Sequence, residues 1–409
     1  MHELSKGVFN VKRVMVSSCL LIAIALIMSG CWNKRELNEF SIVAAVGIDK
    51  VEDDYEVSVQ IVNPSEISSN KSNGGRMPFV LYHAKAETLF EAIRKLSTVT
   101  PRKPYFSHVG IMVLGEELAV EGIDQKLDLF MRDQEMRSNF LVVVSDQLPA
   151  KEILGILSPL EKIPANTMYN SLKNSSEVWA SSSPTRFDEL IKDLEKTNGN
   201  TVLTTIRING DPSKGTSNAN VEKTIPPAIL YYSGLAVFKN GKMVGLLNEE
   251  ESKGYTYIKD KIKSTATIIA CPEGGNITTE VKSSKTKVKG EMANKKPRIK
   301  LDIQSNQTVA EVDCPINLEK KETIAELDKI SSETLTTNIT NTLDTIQNKY
   351  KADIFGFGEV IHRSNPEAWK KLEKDWEQIF PELEVQVKVD VKTKGLGTII
   401  NTIPKKQRE

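Results

Sequence analysis

Cys31 is the residue whose neighbours most clearly prepare it for chemistry. Lys6, Lys12 and Arg13 precede an uncharged stretch from Val14 to Met28, and Ser29, Gly30 and Cys31 follow it. A basic stretch, a short apolar stretch and small residues before a cleavage point make a secretory signal. A cysteine directly after the small pair makes that signal a lipobox. In such a signal the Cys31 thiol takes up a diacylglyceryl group, the bond after Gly30 is cut, and the new amino terminus is open to acylation. Each buried methylene contributes about 0.8 kcal/mol, and two chains hold a protein on a bilayer where one does not. The rival reading is a permanent span, which wants about 20 residues, whereas Val14 to Met28 supplies 15. Met28 departs from the leucine usual three residues before the cysteine, but it is similarly apolar and unbranched at Cβ. The sequence thus predicts a mature chain tied by lipid to the extracytoplasmic side of a membrane.

The other reactive side chains are sparse. Cys19 lies inside the signal, so Cys271 and Cys314 are the thiols left in the mature body. Each precedes a proline and ends a strand-like run. They could pair as a disulfide closing a loop of about 44 residues, worth roughly 3 to 4 kcal/mol of constraint on the unfolded chain. Two buried reduced thiols are the alternative. Gly210 to Thr216 has threonine where a phosphate loop needs lysine, and Gly356-Phe357-Gly358 lacks the third glycine of a dinucleotide fingerprint. Both read as turns. No Gly-x-Ser-x-Gly nucleophile elbow occurs. His83, His108 and His362 are far apart in sequence, and although Glu359 and His362 share a helical spacing, a zinc site needs further ligands. No catalytic, cofactor or metal site is expected. Arg132, Asp133, Glu135 and Arg137 crowd one segment, where they would contact a partner or pair internally to fix a helix end. Lys370, Lys371 and Lys374 oppose a stripe containing Trp369 and Trp376, giving a basic amphipathic helix suited to anionic lipid or to solvent.

The elements that hold these residues follow from hydrophobic periodicity. Charged residues at 26% and hydrophobic ones at 39% are ordinary for a globular body. Formal charge is zero; Lys6, Lys12 and Arg13 less Glu3 put +2 on the signal and leave about −2 on the rest. That balance argues against nucleic acid, which requires clustered cations. Ile42 to Ile48 and Tyr55 to Val62 predict a hairpin turning at Asp53-Asp54, with the second strand half-buried by its alternation. Asn63 to Pro78 reads as a loop and Phe79 to Ala84 as a strand. Leu89, Ile93 and Leu96 mark an amphipathic helix starting near Thr88. Val109 to Leu114 and Phe140 to Val144 read as strands around a helix at Ile123 to Met131, and Ala150 to Glu195 is mainly helical. Asn240-Gly241 between Leu235 to Phe238 and Met243 to Leu246 predicts a type I′ hairpin. Beyond it, Ala266 to Ala270, Asn276 to Val288 and Ile299 to Val312 predict long antiparallel strands. A long helix from Ile324 to Tyr350, a second helix carrying Trp369, Leu372, Trp376 and Ile379, and a strand at Leu383 to Val391 follow, before a basic tail. The predicted class is α+β, with three domains built of mixed and antiparallel sheets packed with amphipathic helices. The expected division is a signal at 1–30, an α/β-type domain at 31–200, a hairpin region at 201–260 that packs with the N-terminal sheet, and an α+β domain at 261–409.

Several of these pieces, in order, resemble the Ger(x)C family of spore-germination lipoproteins. They are Cys31-Trp32-Asn33-Lys34-Arg35-Glu36-Leu37-Asn38, Val46-Gly47-Ile48-Asp49-Lys50, Phe106-Ser107-His108, Arg132-Asp133 to Arg137, the Gly234 to Gly245 hairpin, Ser252 with Gly254, Asp353 to Glu359, and the tryptophans 369 and 376. The resemblance implies a non-enzymatic C subunit of a nutrient germinant receptor, beside two integral-membrane subunits. It also implies a place on the outer face of the spore inner membrane, held there by lipid on Cys31 without other cofactors. Two rivals are an extracytoplasmic solute-binding lipoprotein that captures the nutrient itself and a cell-wall hydrolase. The hydrolase lacks a defensible acid pair.

Overall fold

The structure is a computed structural model describing residues 14–22, 39–68, 77–132, 135–196, 199–271 and 274–396. Residues 14–22 are helical, and the folded body begins at Glu39. Its larger sheet contains β1 (Phe40–Val51), β2 (Asp54–Val62), β3 (Phe79–Ala86), β4 (Lys103–Tyr105), β5 (Ile111–Leu114), β6 (Leu141–Ser145), β7 (Thr185–Arg186), β8 (Thr201–Gly210), β9 (Ala228–Lys239) and β10 (Lys242–Leu247). The spatial order is β10-β9-β8-β6-β5-β1-β2-β3, with β4 beside β1 and β7 beside β6. β1, β5, β6 and β8 run parallel, and antiparallel hairpins extend the sheet at both ends. A second sheet has the order β11 (Thr265–Ala270), β12 (Asn276–Ala293), β13 (Lys296–Val312), β14 (Glu384–Gly395), and β14 lies parallel to β13. The mixed and antiparallel sheets packed with helices are those the sequence predicts.

Parallel strands demand helical crossovers, which bury both faces of the sheet. One face carries α1 (Leu89–Val99), α2 (Glu116–Glu121), α3 (Asp124–Arg132) and α6 (Phe187–Leu194), whose Leu96, Leu118, Phe130 and Phe187 pack on Val46, Ile48, Met112 and Leu114. The other carries α4 (Ala150–Gly155) and α5 (Pro164–Val178), which set Ile153, Leu154 and Met168 against Ala45, Ile111 and Val143. Thr88 caps α1 by accepting the Glu91 N–H.

Three predicted details change. The first hairpin turns at Glu52-Asp53, one residue early, with Val51 facing Asp54 and Glu52 in the left-handed region at φ 57°. β2 is buried on both faces, because α4 and α5 cover the side that its polar residues occupy. Gln60 meets this burial by donating to Leu154 O (2.6 Å) and accepting from Ala165 N (3.1 Å). Polar alternation here marks groups turned toward covering helices rather than solvent: Glu56 and Gln60 are paired, and the buried Ser58 hydroxyl has no protein partner. The tryptophan helix is broken: Pro366–Leu372 gives way to a 3-10 turn at Glu373–Asp375 before Trp376–Ile379, which lets the Trp376 ring turn inward while Trp369 stays partly buried. The type I′ hairpin is present, with φ of 50° and 72° at Asn240 and Gly241.

The two sheets meet through α7 (Glu249–Ile258). Asn248 and Glu251 cap it reciprocally, and every residue from Ser252 to Ile258 is buried. Tyr255, Tyr257 and Ile258 share one core with Leu235, Val237 and Leu247 of the larger sheet and Val281, Leu301 and Ile303 of the smaller. Across it runs α8 (Lys321–Asp344). A Cβ on Gly254 would lie 2.0 Å from Thr342 Oγ1 and 3.0 Å from Asn338 Oδ1, so the two helices meet with only a hydrogen between them. Overpacking at such a contact costs about 1–3 kcal/mol. Gly254→Ala should lower the unfolding free energy by that order, and Thr342→Ala in the same chain should recover part of it. A double-mutant cycle in urea checks this coupling.

Candidate functional site

Among the described residues a cleft of about 980 Å³ opens at the carboxyl ends of β1, β5 and β6. The chain leaves β5 into α2 on one face of the sheet and leaves β6 into α4 on the other. Such a divergence opens a crevice, the usual ligand position in open α/β sheets. Asp49, Lys50, Glu56, Glu116, Glu121 and Lys151 are among its walls.

Asp49 organises this end. α4 follows Pro149, which has no side-chain acceptor for the first amides. The acceptor comes instead from β1: Asp49 Oδ1 takes the Ala150 N–H (2.7 Å) and Oδ2 the Lys151 N–H (3.0 Å). Burial lifts the Asp49 carboxyl from 3.8 to about 6, against the pull of those donors and with some help from Glu56. The two wall lysines are paired, Lys50 with Glu121 (3.8 Å) and Lys151 with Glu56, in a wall that is otherwise acidic. Glu56 binds Lys151 (2.9 Å) and His83 Nδ1 (2.7 Å), and the Lys50 ammonium lies over the Tyr55 ring (4.4 Å). The cleft therefore offers a lined surface, with its best-placed carboxylate committed to holding a helix.

The proton on Asp49 sets a pH dependence. The folded chain keeps a proton that the unfolded chain releases near 3.8, so folding stability falls as pH rises from about 4 to about 6 and then levels off. A carboxyl whose proton affinity differs that much between folded and unfolded chain is worth about 3 kcal/mol. The wild type should lose that amount relative to Asp49→Asn across the window, and urea denaturation at a series of pH values measures it.

Asp353 plays the same part in the C-terminal half. Its carboxylate accepts the N–H groups of Phe357 (2.9 Å) and Gly358 (2.8 Å) at the start of α9 (Phe357–Ser364), and the Trp376 indole N–H (3.0 Å). A Cβ on Gly358 would lie 2.7 Å from the Trp369 ring and 2.8 Å from Trp376 Nε1. Burial pushes this carboxyl up, and the three donors oppose the rise. Asp353→Ala strands all three donors and should cost about 2–4 kcal/mol, read as a lower melting temperature with a changed near-ultraviolet tryptophan signal.

The residues singled out from sequence are dispersed. Cys31 and Asp133 lie outside the described residues. Arg132 pairs with Asp128 one turn back on α3 (2.6 Å), Glu135 pairs with Lys103 beside β4 (2.6 Å), the Ser107 hydroxyl donates to Glu135 O, and Arg137 is exposed. Cys271 and Cys314 are joined by a disulfide across a sequence separation of 43, at the end where Ile269, Ile277 and Leu318 form a small core. His83 touches Glu56, His108 lies near the Tyr105 ring, and His362 stacks on Trp369, so the three stay apart. No group of three or more His, Cys, Asp or Glu among the described residues could hold a metal ion. Sequence reasoning missed the Asp49 cap and the cleft; the available signal was a lone carboxylate closing an apolar strand.

Comparison with known proteins adds identity to this geometry. The family model described as spore germination protein N-terminal domain matches residues 33–208, and the one described as spore germination B3/GerAC like, C-terminal, matches 233–397. Spore germination protein KC of Bacillus subtilis (strain 168) is 32% identical over 403 residues, covering 95% of this chain and 98% of that protein. Spore germination protein B3 of the same organism is 25% identical over 380 residues, 91% of this chain and 96% of the other. The crystal structure of the GerBC protein superposes with a TM-score of 0.54 at 20% identity over 85% of this chain and 96% of that one, a likeness of fold. With two family models in tandem and a relative matched end to end, this chain belongs to the Ger(x)C family of spore germination proteins.

Proposed function

We propose that this chain is the lipid-anchored subunit of a spore nutrient germinant receptor. In this reading Cys31 carries diacylglycerol on the outer face of the spore inner membrane, and the body completes a receptor with two integral-membrane subunits. It works by binding and assembly rather than by catalysis. The observation that carries the reading is the spacing of Cys31 from the fold. Only residues 32–39 separate the cysteine from Phe40, where β1 begins. Eight residues reach at most roughly 30 Å at about 3.3–3.6 Å each. A body held that close has a high effective concentration for membrane-embedded neighbours. No helix among the described residues is long and apolar enough to cross a membrane.

A second reading rests on the cleft at the strand ends, which has the position and size of a pocket for a small nutrient. Equilibrium dialysis of the purified chain against amino acid, sugar and nucleoside germinants separates the two, with saturable binding expected only if the chain captures the nutrient itself. For the main reading, Cys31→Ala should move the protein from the spore membrane fraction to the soluble one and slow nutrient-triggered germination. Mass spectrometry of the wild type should find a diacylglyceryl amino-terminal peptide. Normal germination from a soluble Cys31→Ala chain, or an unmodified native Cys31, refutes the anchor.

A further inference from the structure

Two loops of the N-terminal half present apolar side chains to solvent although both are firmly held. Leu160, in Ser158-Pro159-Leu160, is 96% exposed, and Ile225, in Ile225-Pro226-Pro227, is 83% exposed; no other large apolar side chain of the described body exceeds 66%. Prolines restrict both loops. A buried residue ties them together: Asn220 Nδ2 donates to Leu157 O (2.7 Å) while its Oδ1 accepts from Ala228 N (2.9 Å), and Leu157 N donates to Gly215 O (2.9 Å). Val221 beside Asn220 is also exposed, as is Ile67 in the short helix Pro64–Ser68.

Their place in the fold relates them to the tether. Val43 pairs with Ile61, so β2 ends, and helix Pro64–Ser68 follows, at the end of the sheet where β1 starts. The Lys162 ammonium donates to Glu66 O (3.3 Å) and Ile67 O (3.2 Å), which seats the Leu160 loop against that helix. The Leu160 loop thus lies at the end of the sheet where β1 starts, and the bonds of Asn220 tie the Ile225 loop to it. Their charges nearly cancel, Glu161, Glu222 and Glu66 against Lys162, Lys214 and Lys223, so the pair suits the apolar boundary of a bilayer rather than a charged surface.

We infer that Leu160 and Ile225 dip into the acyl boundary of the membrane and fix the orientation of the tethered body. The inference rests on the anchor proposed above. Two side chains bind lipid only weakly; a covalent tether makes weak contacts sufficient. What they supply is direction, since a body held by a flexible segment alone would sample all orientations. The contact does not require anionic lipid.

The test uses the full lipidated chain in phosphatidylcholine vesicles. With Cys31 acylated and Cys271 and Cys314 bonded, Leu160→Cys or Ile225→Cys adds a single free thiol for a polarity-sensitive nitrobenzoxadiazole label, and Lys370→Cys serves as an exposed control. Labels at 160 and 225 should brighten at least twofold on reconstitution and be quenched by acyl-brominated lipid, with no change on adding salt, while the label at 370 stays unchanged. Vesicle-bound protein whose labels at 160 and 225 keep their aqueous emission overturns the inference and leaves the anchor intact. So does a label at 160 that responds only when other receptor subunits are present, which would make the loops a protein contact. Protein that fails to sediment with vesicles, or lacks lipid on Cys31, defeats the anchor and this inference with it.

Discussion

Burial of α7 on every side from Ser252 to Ile258 is the constraint on which the body depends. A helix of ten residues between two sheets leaves its neighbours no solvent to retreat into, so each contact must be apolar, hydrogen-bonded or hydrogen-sized. Tyr255, Tyr257 and Ile258 meet the first need, the Thr256 hydroxyl bound to Ala180 O the second, and Gly254 against Thr342 the third. Lys253 adds a charged group at the rim, with its ammonium over the Trp179 ring and ion-paired to Glu249 and Glu250. Because residues from both sheets share that core, the halves matched by separate family models are joined by packing as well as by chain.

The same economy explains the residues that carry the family likeness. Asp49 at the end of β1 and Asp353 before α9 are distant in sequence, yet each supplies the acceptor that a helix start lacks, Asp49 while buried and Asp353 while half-buried. Such carboxylates could be mistaken for active-site acids, since burial raises their affinity for protons as it does in catalytic groups. Their donors decide the matter. Both Asp49 oxygens and both Asp353 oxygens already accept backbone N–H groups at 2.7–3.0 Å.

Much of the fold was legible in the sequence, and the failures have physical causes. Apolar runs such as Ile42 to Ile48 and the Asn240-Gly241 turn report local physics, so they survive in the structure. β2 misled because its polar residues face covering helices, and periodicity registers polarity without saying what satisfies it. The Trp369 to Ile379 stripe misled because a continuous helix would not let Trp376 reach Asp353, and that tertiary bond prevailed over helical continuity. The cleft was invisible for a similar reason, since its walls come from chain separated by about a hundred residues and meet only when the parallel strands align. The crowded segment around Arg132 was visible, but its partners on Lys103 and Asp128 were not.

The parallel pairing of β14 with β13 carries a kinetic consequence. β12 and β13 can zip together as a local hairpin, but the outer flank of β13 stays uncovered until residues 321–383 have formed their helices and brought the last strand back. A chain synthesised from its amino terminus exposes that flank until those residues have emerged and folded. Late closure of this sort is slow, because loop entropy must be overcome before the distant pairing rewards it. Completion of the C-terminal sheet therefore waits on the last strand, and a truncation that removes β14 would leave a sticky open margin rather than a shorter native protein.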